Sequence, residues 1–364
     1  MLLAALGAEA QSPLEQAVVL ARQQRYAEAR RALEGVPEPA GLPQRIAFHR
    51  LKAAVASGLG DAATAANEMR SALALAPADA GLQTATAAAE LQAGLLDDAL
   101  AHARAAGGTA AGQALIGDIQ EKRGQYLDAV KAYQAAVALD PGREQFRIAL
   151  ALELVQHYTF EPAIAVLQQA APLFPKSARI RTLLGVALYA AGRFDEAETS
   201  MTDALALDPG LEPVYGYLAQ AAFESPSAPP ERTLKTICSR DAEGVACVAL
   251  QSRAARAEGD PAILAQVIAK LKRTPPDSAV ARCELGWVYQ ATGQLAEARA
   301  ELETCVRLDP SPQNHYRLGL VYNRLGFIAL ARKEMELRLA AGQKKSEDDA
   351  RRRNAVQAFQ FLIK

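Results

Sequence analysis

The chain has 364 residues, half of them hydrophobic and only 5% aromatic, so it contains enough apolar material to bury a large core. Its 40 basic and 41 acidic side chains leave a formal net charge of -1, which argues against nucleic acid or an anionic membrane surface as the main partner. Charged or polar residues interrupt every predicted helix, so no apolar run approaches the roughly 20 residues that span a bilayer. We therefore predict a folded chain with no integral membrane segment.

The first ten residues combine a short apolar stretch with the pattern Ala8-x-Ala10, which is typical of the cleavage site of a secretory signal. The basic leader of such a signal is missing. Residues 1–10 are therefore either the remnant of a signal peptide or the start of the first helix. The location stays uncertain, with a periplasmic or secreted protein slightly favoured over a cytoplasmic one.

Residues 11–109 are rich in alanine and predict divergent helix pairs that begin near residues 10, 46 and 80. Ala29, Ala65 and Ala99 hold one small-residue position in successive units, although the spacing between these units is uneven. Alanine favours the helix but buries little area. We therefore expect thin packing in this part of the chain.

A period of 34 residues governs residues 110–224, which predict a regular array of antiparallel helix pairs. Small residues let two helices approach closely, and a proline lacks the N–H that would continue a helix. Gly124, Gly192 and Gly293 are placed to end the first helix of a pair in a left-handed conformation. The columns in register are Tyr126, Phe160 and Phe194; Ala129, Ala163 and Ala197; Ala136, Ala170 and Ala204; and Pro141, Pro175 and Pro209.

The period is interrupted at residues 225–244, where prolines at positions 226, 229 and 230 predict a kink followed by a short helix. The kink is either a hinge between two helical halves or a lengthened surface turn. We favour the turn because surface loops vary freely. Residues 245–342 resume the period as C-terminal repeats.

The end of the chain predicts one more helix, over residues 343–364. Ser346-x-x-Asp349 has the pattern of a capping box, in which side chains at the start of a helix bond its free N–H groups. An apolar stripe follows at Ala350, Val356, Phe359 and Leu362. Such a helix would cap the stack, because the last repeat otherwise exposes a face made for a neighbour.

These columns resemble the tetratricopeptide repeat (TPR), whose pattern contains Leu-Gly-x-x-Tyr, a later alanine and a closing proline. The best matches are Leu285-Gly286-x-x-Tyr289 with Ala298 and Pro310, and Leu318-Gly319-x-x-Tyr322 with Ala331. The resemblance covers nearly the whole chain. It implies an all-α fold: a right-handed superhelical α-solenoid of about ten TPR-like helical hairpins plus a C-terminal capping helix.

No motif for catalysis or metal binding stands out. The four histidines, His49, His102, His157 and His315, fall on different predicted units, which keeps them apart along a stack of repeats. The motifs of metalloproteases, serine hydrolases, and phosphate- or dinucleotide-binding loops do not occur. We expect a protein that is not an enzyme, with no catalytic residue, no metal and no cofactor.

Four cysteines lie in the C-terminal half without the Cys-x-x-Cys spacing of a zinc or redox site. In an exported protein, Cys238 and Cys247 could pair across the connection between two hairpins, and Cys283 and Cys305 could pair within one hairpin. The alternative is four buried thiols, since Cys305 occupies a column that alanine holds elsewhere. We favour the thiols because free cysteine packs readily in helical cores.

In the TPR family, the first helices of successive hairpins line a concave face that holds peptides, so the resemblance implies a protein or peptide partner. Here that face changes from apolar to aromatic and cationic, which favours a peptide with apolar anchors and a carboxylate that meets Arg253, Arg317 or Arg324. Alternatively, the apolar residues pack on one another and the arginines are solvated surface. The candidate partner-binding residues are Leu152, Val155, Leu183, Val186, Tyr189, Tyr217, Phe223, Arg253, Arg256, Trp287, Tyr316, Arg317 and Arg324.

The function implied is that of a non-catalytic protein-protein interaction scaffold or adaptor, with no nucleic acid partner. Two alternatives stay open. The first is a structural or assembly component that acts through self-association in the bacterial envelope. The second is a non-catalytic subunit of a larger enzyme complex.

Overall fold

The computed structural model of the chain describes residues 12–106 and 108–342, which form twenty α-helices and contain no β-strand. The chain divides between residues 153 and 154 into two compact units, here called the N-terminal unit and the C-terminal unit. The predicted signal remnant at residues 1–10 and the predicted capping helix at residues 343–364 lie outside the described residues.

Helices of the N-terminal unit pair in chain order, α1 with α2 and α3 with α4, and each hairpin packs on the next. Several begin at a residue whose side chain accepts a bond from a free backbone N–H, as Asp61 does from Thr64 N at 3.0 Å. The helices are α1 (Pro13–Arg22), α2 (Tyr26–Leu33), α3 (Leu42–Gly58), α4 (Ala62–Leu75), α5 (Ala80–Gln92), α6 (Leu96–Ala105), α7 (Ala110–Lys122) and α8 (Tyr126–Leu139). The next helix, α9 (Glu144–Gln156), contains the residues at which the units divide.

The C-terminal unit repeats the same arrangement of hairpins, and its first helices begin at residues 178, 212, 245, 279 and 312, where the 34-residue period predicts them. Neighbouring first helices also contact one another, from α11 through to α19. The helices are α10 (Phe160–Ala170), α11 (Ala178–Ala190), α12 (Phe194–Leu207), α13 (Glu212–Glu224), α14 (Glu231–Cys238), α15 (Val245–Glu258), α16 (Pro261–Leu271), α17 (Ala279–Ala291), α18 (Leu295–Leu308), α19 (Pro312–Arg324) and α20 (Ile328–Gly342).

The small-residue columns lie in the seams between helices, as predicted. Ala129, Ala163 and Ala197 are completely buried. Gly286 in α17 shows why one column must stay small, because a Cβ added there would lie 2.6 Å from Leu302 Cγ of α18. Gly293 ends α17 with a φ of 78°, which confirms the left-handed turn that the sequence predicts.

The proline-rich interruption separates α13 from α14, which has only eight residues. The segment is fastened to α12, since Ser225 Oγ and Ser227 Oγ both donate hydrogen bonds to the carboxylate of Asp195. The proline-rich segment is therefore a turn that hydrogen bonds attach to α12. Its action as a hinge stays a prediction.

The four cysteines pair in the structure as Cys238–Cys247 and Cys283–Cys305. The first pair joins the end of α14 to the start of α15, and the second joins α17 to α18. This differs from the buried thiols that we favoured. The antiparallel packing of α17 on α18 brings the Cα atoms of Cys283 and Cys305 to within 4.8 Å of each other, which is close enough for a disulfide. The residue types alone do not predict this distance.

Candidate functional site

The apolar half of the expected binding face belongs to the core. Val155, Leu183, Val186 and Tyr189 are buried, with 2% to 6% of each residue exposed. The Tyr189 ring lies edge-on to the ring of Tyr217, 6.2 Å away on the next first helix. These side chains are therefore not open to a partner, contrary to the expectation of an apolar groove.

Leu152 and Tyr217 are each half-buried, and neither lines the cleft described next. An open surface appears further along the C-terminal unit, where a cleft of about 820 Å³ is lined by residues of α13, α15, α17, α19 and α20. The lining residues are Phe223, Glu224, Arg253, Val280, Cys283, Glu284, Trp287, Asp309, Ser311, Pro312, Gln313, Asn314, Tyr316 and Arg338. The structure thus brings together Phe223, Arg253, Trp287 and Tyr316, four of the residues that the sequence singled out.

Local interactions place Trp287 and Tyr316 in the cleft. Trp287 follows Gly286, whose contact with α18 fixes the rotation of α17 about its axis. At the start of α19, Asn314 Nδ2 donates hydrogen bonds to the backbone oxygen of Asp309 at 3.0 Å and to its carboxylate at 2.8 Å. This bonding fixes the connection from α18 to α19 and hence the position of Tyr316.

Arg253 has a structural role at one wall of the cleft. Its guanidinium donates hydrogen bonds to the backbone oxygens of Ala222, Phe223, Ser225 and Ser227, at 2.6 to 3.2 Å. Burial lowers the pKa of Arg253, an effect that the negative charge of Glu284 opposes. Because its donors are engaged at the end of α13 and in the turn that follows, Arg253 is not free to bind a ligand carboxylate.

Arg256 is also engaged. It donates to Glu284 Oε2 at 2.8 Å, and its guanidinium lies 5.2 Å from the centre of the Trp287 ring. Glu284 is only 2% exposed, and burial raises its pKa, while the charge of Arg256 lowers it. Arg256 therefore serves mainly to pair with a buried carboxylate in the wall of the cleft.

Arg317 differs from both. Its guanidinium stacks on Trp287 at 4.7 Å from the ring centre, and no described side chain or backbone oxygen forms a hydrogen bond or ion pair with it. Burial and the nearby positive charge of Arg256 lower the pKa of Arg317. The half-buried guanidinium thus lies beside an aromatic ring without a hydrogen-bond acceptor or an ion-pair partner among the described residues.

Arg338 is a lining residue that the sequence analysis missed. It stacks on Tyr316 at 4.7 Å and comes from α20, a second helix, whereas we had considered first helices alone. A signal was present: Arg338 stands 33 residues after the buried Cys305, so a charged residue occupies the column that holds Ala136, Ala170 and Ala204 in earlier repeats. Arg324, by contrast, is exposed at the end of α19 and does not line the cleft.

Two family models, both described as tetratricopeptide repeat, match the sequence. One matches residues 148–212, and the other matches residues 110–143 and 279–312. The chain contains tetratricopeptide repeats. The family and the all-α solenoid fold that the sequence predicted are therefore confirmed, while the handedness and the number of repeats stay predictions.

Solved structures similar to this TPR protein include a tetratricopeptide repeat protein from Parabacteroides merdae, 14% identical over 81% of this chain and 98% of that chain, with a TM-score of 0.42. The C-terminal part of a TPR repeat-containing protein from Cytophaga hutchinsonii is 18% identical over 71% of this chain and 94% of that chain, with a TM-score of 0.45. A thermophilic TPR protein from Thermus thermophilus is 24% identical over 50% of this chain and 100% of that chain, with a TM-score of 0.39. No curated protein matches the chain.

The remaining polar features of the TPR protein are dispersed. His49, His102 and His315 each contact a different glutamate, and no three metal-binding side chains gather within residues 12–106 or 108–342. In the same ranges, every helix is too short or too polar to cross a membrane. TPR proteins are in general non-catalytic scaffolds whose stacked hairpins present an extended surface to other proteins. This TPR protein is accordingly a protein-interaction scaffold.

Proposed function

We propose that the protein is a non-catalytic adaptor that binds an extended polypeptide segment in the cleft of its C-terminal unit. The observation that carries the proposal is the cleft itself, whose volume of about 820 Å³ is within the range of ligand-binding sites. It crosses four successive first helices, so a bound segment would run across the hairpins. Three aromatic side chains, Phe223, Trp287 and Tyr316, form part of its wall.

The composition of the wall also supports a protein ligand. Aromatic residues and arginine are the types most enriched among residues that dominate protein-protein binding energy. Here Trp287 is in contact with Arg256 and Arg317, and Tyr316, which is 40% exposed, is in contact with Arg338. A peptide side chain that covers Trp287 and Tyr316 would bury apolar area that water now contacts.

The two disulfides support an oxidising compartment as the place where this function is carried out. Disulfides persist in the periplasm or outside the cell and are rare in the cytosol. A periplasmic or secreted adaptor is therefore part of the proposal. Self-association and membership of a larger enzyme complex stay predictions, and light scattering over a range of concentrations tests the first of them.

The test uses peptides selected from a random displayed library on the intact oxidised protein, labelled and titrated by fluorescence anisotropy. We expect Trp287→Ala to weaken binding by at least about tenfold, because it removes one of the three aromatic side chains that line the cleft. Phe327→Ala is the matched control. Phe327 is 42% exposed and contacts Arg299 at 5.3 Å, but it lies outside the cleft.

Thermal unfolding of both variants shows whether each is folded at the assay temperature. Selected peptides that bind Trp287→Ala as tightly as the original protein, or that lose affinity only with Phe327→Ala, would place the binding surface elsewhere and refute the proposal.

A further inference from the structure

Three arginines lie close to Glu284 or Trp287, two residues that line the cleft, and only two of the three have hydrogen-bond partners among the described residues. Arg253 is itself a lining residue, whereas Arg256 and Arg317 adjoin the cleft through Trp287. Arg253 is bonded to backbone oxygens, and Arg256 is bonded to Glu284. The third, Arg317, has neither kind of partner in the described part of the chain, although it is half-buried. A half-buried guanidinium without an acceptor is costly, because its donors have lost water and gained no hydrogen bond.

The carboxylates nearby do not satisfy Arg317. Glu284 is the acid whose charge acts on it, but the Oε2 atom of Glu284 already accepts from Arg256. Asp309 lines the cleft with its carboxylate bonded to Asn314, and Glu224 lines it near Phe223. Neither forms an ion pair with Arg317 in the described structure. Arg338, on Tyr316, adds a second cation without an ion pair among the described residues.

The contact with Trp287 leaves Arg317 suited to one kind of ligand. The guanidinium lies over the indole, 4.7 Å from the ring centre, and this contact restricts its movement. Its N–H groups lie in the plane, at the edge, where they match the two oxygens of a carboxylate. Partial burial strengthens such a bond, because the effective dielectric constant there is below that of water.

We propose that Arg317, held against Trp287, binds a carboxylate of the peptide ligand and so makes the cleft selective for acidic peptides. The inference rests on the peptide-binding function proposed above and names the chemistry of its ligand. The carboxylate comes either from the C-terminus of the peptide or from an aspartate or glutamate side chain, with an apolar side chain of the same peptide on the aromatic wall.

Trp287 is the one tryptophan of the chain, so its fluorescence reports directly on this site. Three probes are titrated against the intact oxidised protein. N-acetylphenylalanine ends in a free carboxylate, N-acetyl-glutamyl-phenylalanine amide carries it on a side chain, and N-acetyl-glutaminyl-phenylalanine amide is neutral. We expect at least one carboxylate probe to bind at least about tenfold more tightly than the neutral probe, as for a charged hydrogen bond. Of the two carboxylate probes, the one that binds more tightly shows whether the cleft prefers a C-terminal or a side-chain carboxylate.

Arg317→Gln should abolish this preference, and Arg317→Lys should restore only part of it, because lysine keeps the charge but not the paired donors. Arg324→Gln is the matched control, since Arg324 is exposed at the end of the same helix, whereas Arg317 contacts Trp287 of the cleft wall. It should leave the preference unchanged. Thermal unfolding shows whether each variant is folded.

Three results would overturn the inference: equal affinity of the neutral and charged probes, a preference that survives Arg317→Gln, or no saturation by either carboxylate probe at millimolar concentration. None of them decides the broader function, because the library-selected peptides and the Trp287→Ala variant test cleft binding whatever the charge of the ligand.

Discussion

Arg253, Arg256 and Arg317 share one surface of the C-terminal unit, yet each side chain is used differently. Arg253 holds the end of α13 and the turn after it, and Arg256 pairs with a buried carboxylate. Arg317 lies over Trp287 and has no acceptor within residues 12–106 or 108–342. The difference arises from what surrounds each guanidinium rather than from residue type. At this scale, the environment of a charged group decides whether it stabilises the fold or is available to a ligand.

Glu198 in α12 is another charged residue whose surroundings set its behaviour. It is 2% exposed, and its Oε2 atom has no hydrogen-bond partner among the described residues. Burial raises its pKa from 4.5 to about 7; a hydrogen bond with Thr233 lowers it, and the charge of Asp195 raises it further. The folded protein therefore binds this proton more tightly than the unfolded chain.

A pH-dependent stability follows from Glu198. The protonated Glu198 carboxyl contributes to the stability of the folded protein. This stabilisation is fully present below about pH 4.5 and is lost as the pH rises through about 7. Because glutamine resembles the protonated acid, Glu198→Gln should increase the free energy of unfolding by about 3 kcal/mol at alkaline pH and change it little near pH 4. Urea unfolding across this pH range measures the effect.

Glu196→Gln provides the control for this pH series. Glu196 is exposed on the same helix, and its hydrogen bond with Arg193 lowers its pKa. Its replacement should bring no gain in stability at alkaline pH. The same gain in both variants would show that burial of Glu198 is not the cause.

At the scale of the helix, the packing of each first helix depends on a small residue facing its partner. Gly286 and Gly216 both lie inside first helices, but their surroundings differ. A Cβ on Gly286 would meet Leu302, including its backbone nitrogen at 3.2 Å, whereas a Cβ on Gly216 would meet nothing within 4 Å. The same residue type is therefore required by packing in α17 and is unconstrained in α13.

Alanine at these two positions should act with opposite sign. Gly286→Ala should destabilise the protein by about 1–3 kcal/mol, since the completely buried Leu302 must move to accept the methyl group. Gly216→Ala should stabilise it by about 0.5–1 kcal/mol, because alanine loses less backbone entropy than glycine in a helix. Thermal and denaturant unfolding of both variants measure the pair, and destabilisation of similar size at both sites would contradict the packing argument.

At the scale of the whole molecule, the two units differ in the interactions that stabilise each of them. All four cysteines, and hence both disulfides, lie in the C-terminal unit. The N-terminal unit contains no cysteine, and many of its buried positions are alanine, which buries little area. A disulfide stabilises the folded state mainly by restricting the unfolded chain.

Reduction should therefore affect the two units unequally. Each disulfide closes a short loop, so its loss should cost the C-terminal unit about 2–3 kcal/mol. Hydrogen exchange measured by mass spectrometry, with and without reductant, should show faster exchange in α15 to α18 and unchanged exchange in α3 to α6. An intact mass lacking four thiol hydrogens verifies the oxidised starting state. Equal acceleration in both units would contradict the prediction.

Much of the architecture is encoded locally. The alanine columns, the glycine at the end of α17 and the helix starts at residues 178, 212, 245, 279 and 312 all follow from a pattern that repeats every 33 or 34 residues. Each of these features depends on backbone conformation or on contact between the two helices of a hairpin. Sequence periodicity reports such contacts directly, because the interacting residues recur at fixed spacing.

The sequence by itself therefore determined the helices, their pairing and the family, and it singled out Trp287, Tyr316 and Arg317. Only the tertiary structure decided that Val186 and Tyr189 are buried, that Arg253 is occupied by backbone oxygens and that the cysteines are paired. The physical reason is that exposure, hydrogen bonding and sulfur pairing depend on what the neighbouring hairpin covers. A periodic pattern fixes which residues share a helix face, but it does not fix the distance from that face to the next hairpin.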